Sequence, residues 1–471
     1  MSLLYERLAA ELADGIEAGR LRPDSRLPSV RATCRDRQVS PATVFQAYAL
    51  LEARGLVQAR ARSGFFVCEP GPARQPPAAA VPRHEARPVA VSELAFELLG
   101  STRDAEVVPL GSAFPAPGLF PFAELARCGA RAMRRLSPEQ ITGALTAGDE
   151  ELRQALLHRY ALHGVPVRAD ELVVTNGAME ALNLCLQAVT QPGDVVVIES
   201  PTFYAGLQAL ERLHLRAVEV ATDPRDGVDL DALEALLRRE RVAACWFMGS
   251  FQNPLGALLP VERKRALAAL LARHGVPLIE DDVYGELHAG MRRPPPVKAF
   301  DEAGLVLHCS SFSKCLAPGY RVGWAAAGRF GPVVERLKMM SSISTSLPAQ
   351  RALAEYLRQG GYERHLRQLR AALAGQMQRT QRQIARFFPA ATRVTQPAGG
   401  YFLWIELPPE VDALALHHEA LKRRISSAPG VLFSADRRFT HHLRLNTGHP
   451  GDARVDMALR ILGELACRMS R

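Results

Sequence analysis

Lys314 stands in the stretch SSFSKCLAPGYRVGW (residues 310–324), just after Ser311 and Ser313 and a few residues before Arg321. The chain has five lysines (264, 298, 314, 338 and 422) against fifty-three arginines. An amine is thus kept where a guanidinium serves almost everywhere else. An unprotonated amine adds to an aldehyde and forms a Schiff base, which a guanidinium cannot do. The hydroxyls of Ser311 and Ser313 and the planar cation of Arg321 are groups suited to phosphate. An aldehyde that carries a phosphate describes pyridoxal phosphate, which also needs a carboxylate near its ring nitrogen. A lone lysine between a strand and a turn is otherwise an ordinary surface residue, so the rest of the constellation decides.

Three further segments supply candidates. NGAMEALNL (176–184) puts small residues between a strand and a helix, where the amides of Ala178 and Met179 can face a phosphate at the helix N-terminus. QNPLG (252–256) places Asn253 at a strand end, and EDDVYGEL (280–287) places Asp281 three residues before Tyr284 at another. The acidic run Glu280–Asp282 also admits a metal cluster or a solvated loop, but no histidine accompanies it at ligand spacing. Phe203 in ESPTFYAG is a core aromatic as readily as a partner for a flat ring. His441, His442, Trp246 and Trp404 read as packing residues.

These residues need a scaffold that brings strand ends together. ELVVT (171–175), DVVVIE (194–199), AACWFM (243–248), VPLIEDD (276–282), LVLHCSS (305–311) and VGWAAAG (322–328) alternate with helical stretches. That alternation predicts an α/β fold with a mainly parallel sheet covered on both faces. Ligands of such sheets sit beyond the carboxyl ends of the strands, where all the candidates fall. From about residue 345 the chain is helix-rich, with GYFLWIELP and HHLRLNT as strands of a smaller α+β unit to residue 471; the large unit runs to about 330.

The 471 residues carry a formal charge of +9, with 48% hydrophobic and 23% charged residues, a composition that describes a globular protein of several domains and permits a polyanionic partner. Eight cysteines show no C-x-x-C pair, which predicts free thiols in a reducing compartment. Neither a signal sequence nor a membrane-length apolar run is read, so a cytoplasmic location is expected. Residues 71–92, rich in Pro and Ala, read as a linker between a head (1–70) and a body (93–471).

In the head, Leu4, Leu8, Leu12 and Ile16 share one helical face, and LPSVRATCRD forms a second helix. A third helix is capped by Ser40, has Pro41 at its first position and stops at Gly55. Val44, Ala47, Tyr48 and Leu51 make its buried stripe, with Ala42, Thr43 and Gln46 outward. LVQA and GFFV then form a hairpin whose tip carries Arg60 and Arg62. This is a winged helix-turn-helix pattern, whose third helix enters the DNA major groove. Ser40, Thr43 and Gln46 would meet DNA at the helix start, and Arg31, Arg35, Arg60 and Arg62 would lie near phosphate. The plainer reading is a helical bundle with a solvated basic face, since residues 1–70 hold ten arginines against eight carboxylates.

RLPSVR, VSPATV, ALLEARGLV and SGFFV resemble the head of GntR-type bacterial regulators across residues 1–70. That family commonly has a base-contacting arginine where this chain has Pro41, so its operator preference does not carry over. The body, from about residue 95, resembles the fold type I aminotransferase-like pyridoxal phosphate proteins. That resemblance implies that Lys314 carries the cofactor as a Schiff base and that Asp281 pairs with the pyridinium nitrogen. It implies that Asn253 and Tyr284 bond the ring hydroxyl oxygen and that Phe203 stacks on the ring. Ser311, Ser313, Arg321 and the amides of Ala178 and Met179 would hold the phosphate, and Arg444 in HLRLN would clamp a substrate α-carboxylate. A tyrosine that the family commonly lends to the neighbouring subunit's phosphate precedes a G-x-x-x-L-R motif; here GDEELR (148–153) has no tyrosine between Phe120 and Tyr160.

Head, linker and body in this order look like the MocR subfamily of transcription regulators. The resemblance implies a homodimer on a double-stranded DNA operator, sensing pyridoxal phosphate or an amino acid or amine that reacts with it. A genuine class I/II aminotransferase with a secondary DNA-binding head, its catalysis resting on Lys314, Asp281 and Tyr284, is the competing reading. A DNA-binding scaffold with an inert body is the third, disfavoured by the intact lysine, aspartate and arginine.

Overall fold

The computed structural model describes residues 4–53, 56–60, 63–68, 74–82, 85–100, 104, 106–143, 145–290 and 292–471. Helices α1 (Leu4–Glu17), α2 (Val30–Arg37) and α3 (Pro41–Ala53) precede strands β1 (Val57–Arg60) and β2 (Gly64–Val67), which pair antiparallel. Leu8, Ala9, Ala13 and Ile16 of α1 pack with Val44, Ala47, Tyr48 and Leu51 of α3. Leu4 departs from the expected face and is 53% exposed: the small Ala9 and Ala13 let α3 approach closely and turn the buried stripe away from the first turn. Tyr48 donates from its hydroxyl to the Pro28 carbonyl at 2.8 Å. Arg60 closes β1, while Arg62 and Gly55 lie outside the described residues.

The body's large sheet runs β3 (Arg87–Pro88), β6 (Arg216–Asp223), β5 (Val195–Ser200), β8 (Val242–Phe247), β9 (Leu278–Asp281), β10 (Val306–Ser311), β11 (Gly323–Ala326), β4 (Leu172–Thr175), with β7 (Gly227–Val228) beside β6. The pairs within β6-β5-β8-β9-β10 are parallel. Burial of both faces explains why β5 opens as the unbroken apolar run Val195–Ile198. β11, expected simply as another strand, is antiparallel to both β10 and β4. The β4, β5, β9 and β10 strands end at Thr175, Ser200, Asp281 and Ser311 along one edge. A smaller antiparallel sheet, β12 (Arg393–Val394), β13 (Phe402–Glu406), β15 (His442–Asn446), β14 (Ala428–Pro429), forms the second unit. Trp404 and Trp246 are buried, and His442 stacks on Trp404. Among the described residues no helix is long and apolar enough to cross a membrane.

The Pro/Ala segment lies along the body as a strap. The Arg74 guanidinium donates to the carbonyls of Ile384, Ala385, Phe388, Pro389, Ala390 and Thr392, at and just beyond the end of the long helix Gly361–Phe387. The Ile384 carbonyl also accepts from the Phe388 amide at 3.1 Å and that of Pro389 from the Thr392 amide at 3.0 Å, while the last turn of the helix carries the negative end of its dipole, so a cation is favoured there. Val394 of β12 donates to the Gln75 carbonyl at 3.0 Å, and Arg438 to that of Val81 at 2.9 Å. Farther on, β3 pairs with β6 of the large sheet. The strap therefore begins on the small unit, only a few residues after β2, and ends on the large one. Arg74→Ala should lower stability by about 1–3 kcal/mol and make residues 74–82 more sensitive to limited proteolysis; denaturant midpoints and cleavage mapping check both.

Candidate functional site

β10 delivers Ser311, and the turn that follows carries Ser313 and Lys314. Lys314 Nζ donates to the Ala113 carbonyl at 2.9 Å and sits 3.7 Å from the centre of the Phe114 ring. Burial and the neighbouring Arg444 cation lower its ammonium to about 7, against the opposing pull of Asp281. An amine with that pKa is substantially unprotonated near neutrality, the state a nucleophile needs.

Asp281 ends β9, fully buried. Its Oδ1 has no hydrogen-bond partner. Burial lifts the carboxyl to about 7, although the Val283 amide and Lys314 both favour the anion. Its neighbours diverge from it, so the acidic run is not one cluster. Glu280 accepts from the amides of Val297 (2.6 Å) and Lys298 (2.9 Å). Asp282 pairs with Arg293 and with His308 Nε2 at 3.1 Å, and His308 Nδ1 meets the Tyr160 hydroxyl at 2.8 Å. The raised pKa of Asp281 has a sign. Its neutral form is favoured by folding, so the stability it contributes is present below the unfolded value near 4 and is lost as pH rises through about 7. In the cofactor-free protein, Asp281→Asn should flatten that loss; denaturant midpoints between pH 4 and 7 measure it.

A cradle forms where β4 turns into the helix Ala178–Val189. Gly177 sits at φ +79°, a conformation that glycine adopts without strain. A Cβ there would lie 2.6 Å from Arg321 Nη2, and a Cβ on Gly323 would lie 2.6 Å from the Ala178 nitrogen. Both glycines thus leave room for Arg321 and for the helix start. Arg321 Nη1 donates to Ser313 Oγ at 3.2 Å, and the Ser313 amide donates to Ser311 Oγ at 3.3 Å. The structure so brings Ser311, Ser313, Arg321 and the amides of Ala178 and Met179 to one corner.

Arg444, on β15, is completely buried. It donates to Asn253 Oδ1 at 3.2 Å, to the Gly111 carbonyl at 2.5 Å and to that of Ser112 at 3.1 Å, lies 4.4 Å from the Phe402 ring centre, and leaves Nε without a partner. Asn253 Nδ2 reaches the buried Tyr284 hydroxyl at 3.5 Å. Phe203 is half-buried at the start of the helix Tyr204–Arg212, its ring 4.7 Å from that of Tyr204.

Sequence reasoning missed the segment 111–114, which crosses in front of Lys314 and Arg444. Tyr401 donates to the Ala113 carbonyl at 3.0 Å, and Asn446 to those of Ser112 (3.1 Å) and Phe114 (2.7 Å). Asn446 was two residues from a predicted site residue; Ala113, Phe114 and Tyr401 carried no signal.

Residues 121–462 match the family described as Aminotransferase class I and II. The chain belongs to that family. Residues 4–67 match the family described as Bacterial regulatory proteins, gntR family, so a GntR helix-turn-helix domain is fused to the aminotransferase body, as is typical of the MocR subfamily. The chain is 46% identical to the HTH-type transcriptional regulator YdcR of Escherichia coli, over 98% of each, and 35% identical to the HTH-type regulator YjiR of the same organism, over 98% of this chain and 99% of that one. The crystal structure of LysN, an α-aminoadipate aminotransferase from Thermus thermophilus complexed with N-(5'-phosphopyridoxyl)-L-leucine, is similar with a TM-score of 0.72 and 30% identity, over 80% of this chain and 94% of that one.

Aminotransferases of this class use pyridoxal 5'-phosphate, and the residues present fit it. The orphaned Asp281 Oδ1 calls for a buried donor such as a protonated ring nitrogen, the orphaned Arg444 Nε for an acceptor, and the glycine-lined corner for an anion. In the GntR domain, Ser40 Oγ accepts from the Thr43 amide at 3.2 Å and lies 2.9 Å from Thr43 Oγ1, which makes Ser40 the α3 cap. Gln46 is exposed and Thr43 half-buried; Arg31 and Arg35 are exposed on α2, next to α3.

Proposed function

We propose that this chain is a homodimeric, cytoplasmic transcription regulator whose aminotransferase body binds pyridoxal phosphate and senses it, or an amino acid or amine that reacts with it, and whose GntR head reports the result to an operator. The observation that carries the reading is one buried site holding a near-neutral lysine amine, an unpaired carboxylate oxygen and an arginine with an unpaired Nε, on the same chain as a DNA-binding head.

When bound, the cofactor supplies an electrophilic aldehyde carbon and an electron-withdrawing ring. Lys314 would hold that carbon covalently. Asp281 would keep the ring nitrogen protonated, Asn253 and Tyr284 would bond the ring hydroxyl oxygen, and Phe203 would stack on the ring. Ser311, Ser313, Arg321 and the amides of Ala178 and Met179 hold the phosphate. Arg444 receives an effector carboxylate, an exchange that competes with its bonds to Gly111 and Ser112. The strap supports coupling, because Arg74 ties the chain just beyond the head to the small unit that carries Arg444. Exposed Met339, Met340 and Ile343, at and beyond the end of the helix Gly331–Ser341, support a subunit interface.

A weak transaminase is the second reading, favoured by the complete residue set. Absorbance spectra of the purified protein titrated with amino acids test the sensing claim: a shift of the cofactor band that saturates supports it, and spectra unmoved by every amino acid and amine count against it.

A further inference from the structure

Phe45 lies in the second turn of α3 and is 56% exposed. It takes no part in the head's core, which uses the opposite face through Val44, Ala47, Tyr48 and Leu51. Ala42, Phe45 and Ala49 are exposed at spacings of three and four, so they share one helical face. Gln46 borders that face beside Ala42 and Ala49, and Glu52 lies on it one turn beyond Ala49, so Phe45 is its one large apolar side chain. A few residues of the long helix Gly361–Phe387 approach α3, yet Phe45 keeps its exposure with the body in place, so the body does not cover it.

The groups available for direct base recognition at the start of α3 are few. Pro41 brings no donor, and the Thr43 hydroxyl is engaged with Ser40 Oγ at 2.9 Å. Gln46 remains the exposed polar side chain in the same turn. On the major-groove edges of the base pairs, the 5-methyl of thymine is the apolar feature, and phenylalanine is a side chain that contacts it.

We propose that Phe45 is a specificity-determining residue of the recognition helix and reads the 5-methyl of a thymine in each operator half-site. The inference rests on the reading of the head as a DNA binder. Withdrawing one methyl from an apolar contact weakens binding about fourfold. Two half-sites compound this to about fifteenfold, because separated positions add.

The test replaces thymines of the footprinted operator one at a time by deoxyuridine, which removes the methyl and nothing else, and measures the affinity of the full-length protein. The expected result is one position per half-site where uracil weakens binding about fourfold. Phe45→Ala should lose that sensitivity while keeping its affinity for nonspecific DNA, and Phe45→Leu should retain part of it. Tight operator binding that ignores uracil at every position would overturn this proposal alone, as would a Phe45→Ala protein as sensitive as the parent. A loss of dimerisation in Phe45→Ala without any uracil effect would assign the face to a second copy instead. Failure of the intact protein to bind its upstream DNA at all would overturn the reading of the head, and this inference with it.

Discussion

Borohydride reduction of the protein loaded with pyridoxal phosphate is expected to fix the cofactor on the peptide containing Lys314, and Lys314→Ala is expected to lose both the fixation and the associated absorbance entirely. The other four lysines are otherwise engaged. Lys264 is buried and donates to Ser250 Oγ at 2.9 Å and to the Pro295 carbonyl at 2.8 Å. Lys298 pairs with Asp301 at 2.9 Å, Lys338 with Glu180 at 2.7 Å, and Lys422 with Glu419 at the surface. Lys314 alone stands beyond the strand ends beside Asp281 and the glycine-lined corner. Its carbonyl partner, Ala113, leaves the amine free to be exchanged. Peptide mapping by mass spectrometry decides the matter, and a label on any other lysine contradicts the assignment.

The second large effect is at Arg444. Arg444→Met should raise the amino-acid concentration needed to shift the cofactor spectrum by about a hundredfold or more, since two charge-assisted hydrogen bonds to a carboxylate are lost at about 1.5–3 kcal/mol each. The substitution also frees the carbonyl of Gly111 and leaves that of Ser112 to Asn446 alone, so a control must separate recognition from scaffolding. Amines that lack a carboxylate provide it: their response should survive in the variant. Equal loss for amines and amino acids would make Arg444 a structural residue of the 111–114 segment and not the carboxylate clamp.

What could be read in the sequence followed what local chemistry records. β5 declared itself through the unbroken apolar run Val195–Ile198, because a strand buried on both faces has no polar side to show. The candidates at strand ends were legible for the same reason, since a parallel sheet fixes where its carboxyl ends lie. β6 was missed. RAVEVATD carries charges that disguise a buried strand, and Glu219 is tolerated there because Arg438, the Ser200 hydroxyl and the Ala435 amide surround it. The segment over Lys314 left no local trace either: its hold comes from Tyr401 and Asn446, nearly three hundred residues away or more in the chain. The strap is similar. Its composition says that it builds no core, but not that Arg74 meets the end of a helix more than three hundred residues further on. Leu4 fitted a helical stripe that the small Ala9 and Ala13 redirected.

The central claim is that the body's ligand state governs the head. The measurement is operator affinity, by titration at fixed salt, with and without pyridoxal phosphate and a spectrally active amino acid, in the intact protein and in Lys314→Ala. The account predicts a change in the intact protein of about 5- to 150-fold, equal to the change that operator DNA makes in the amino acid's own affinity, because binding coupling is reciprocal. In Lys314→Ala the amino-acid effect should vanish. Operator affinity identical in every ligand state, with transamination running at the roughly 1–10³ per second of ordinary enzymes, would contradict it.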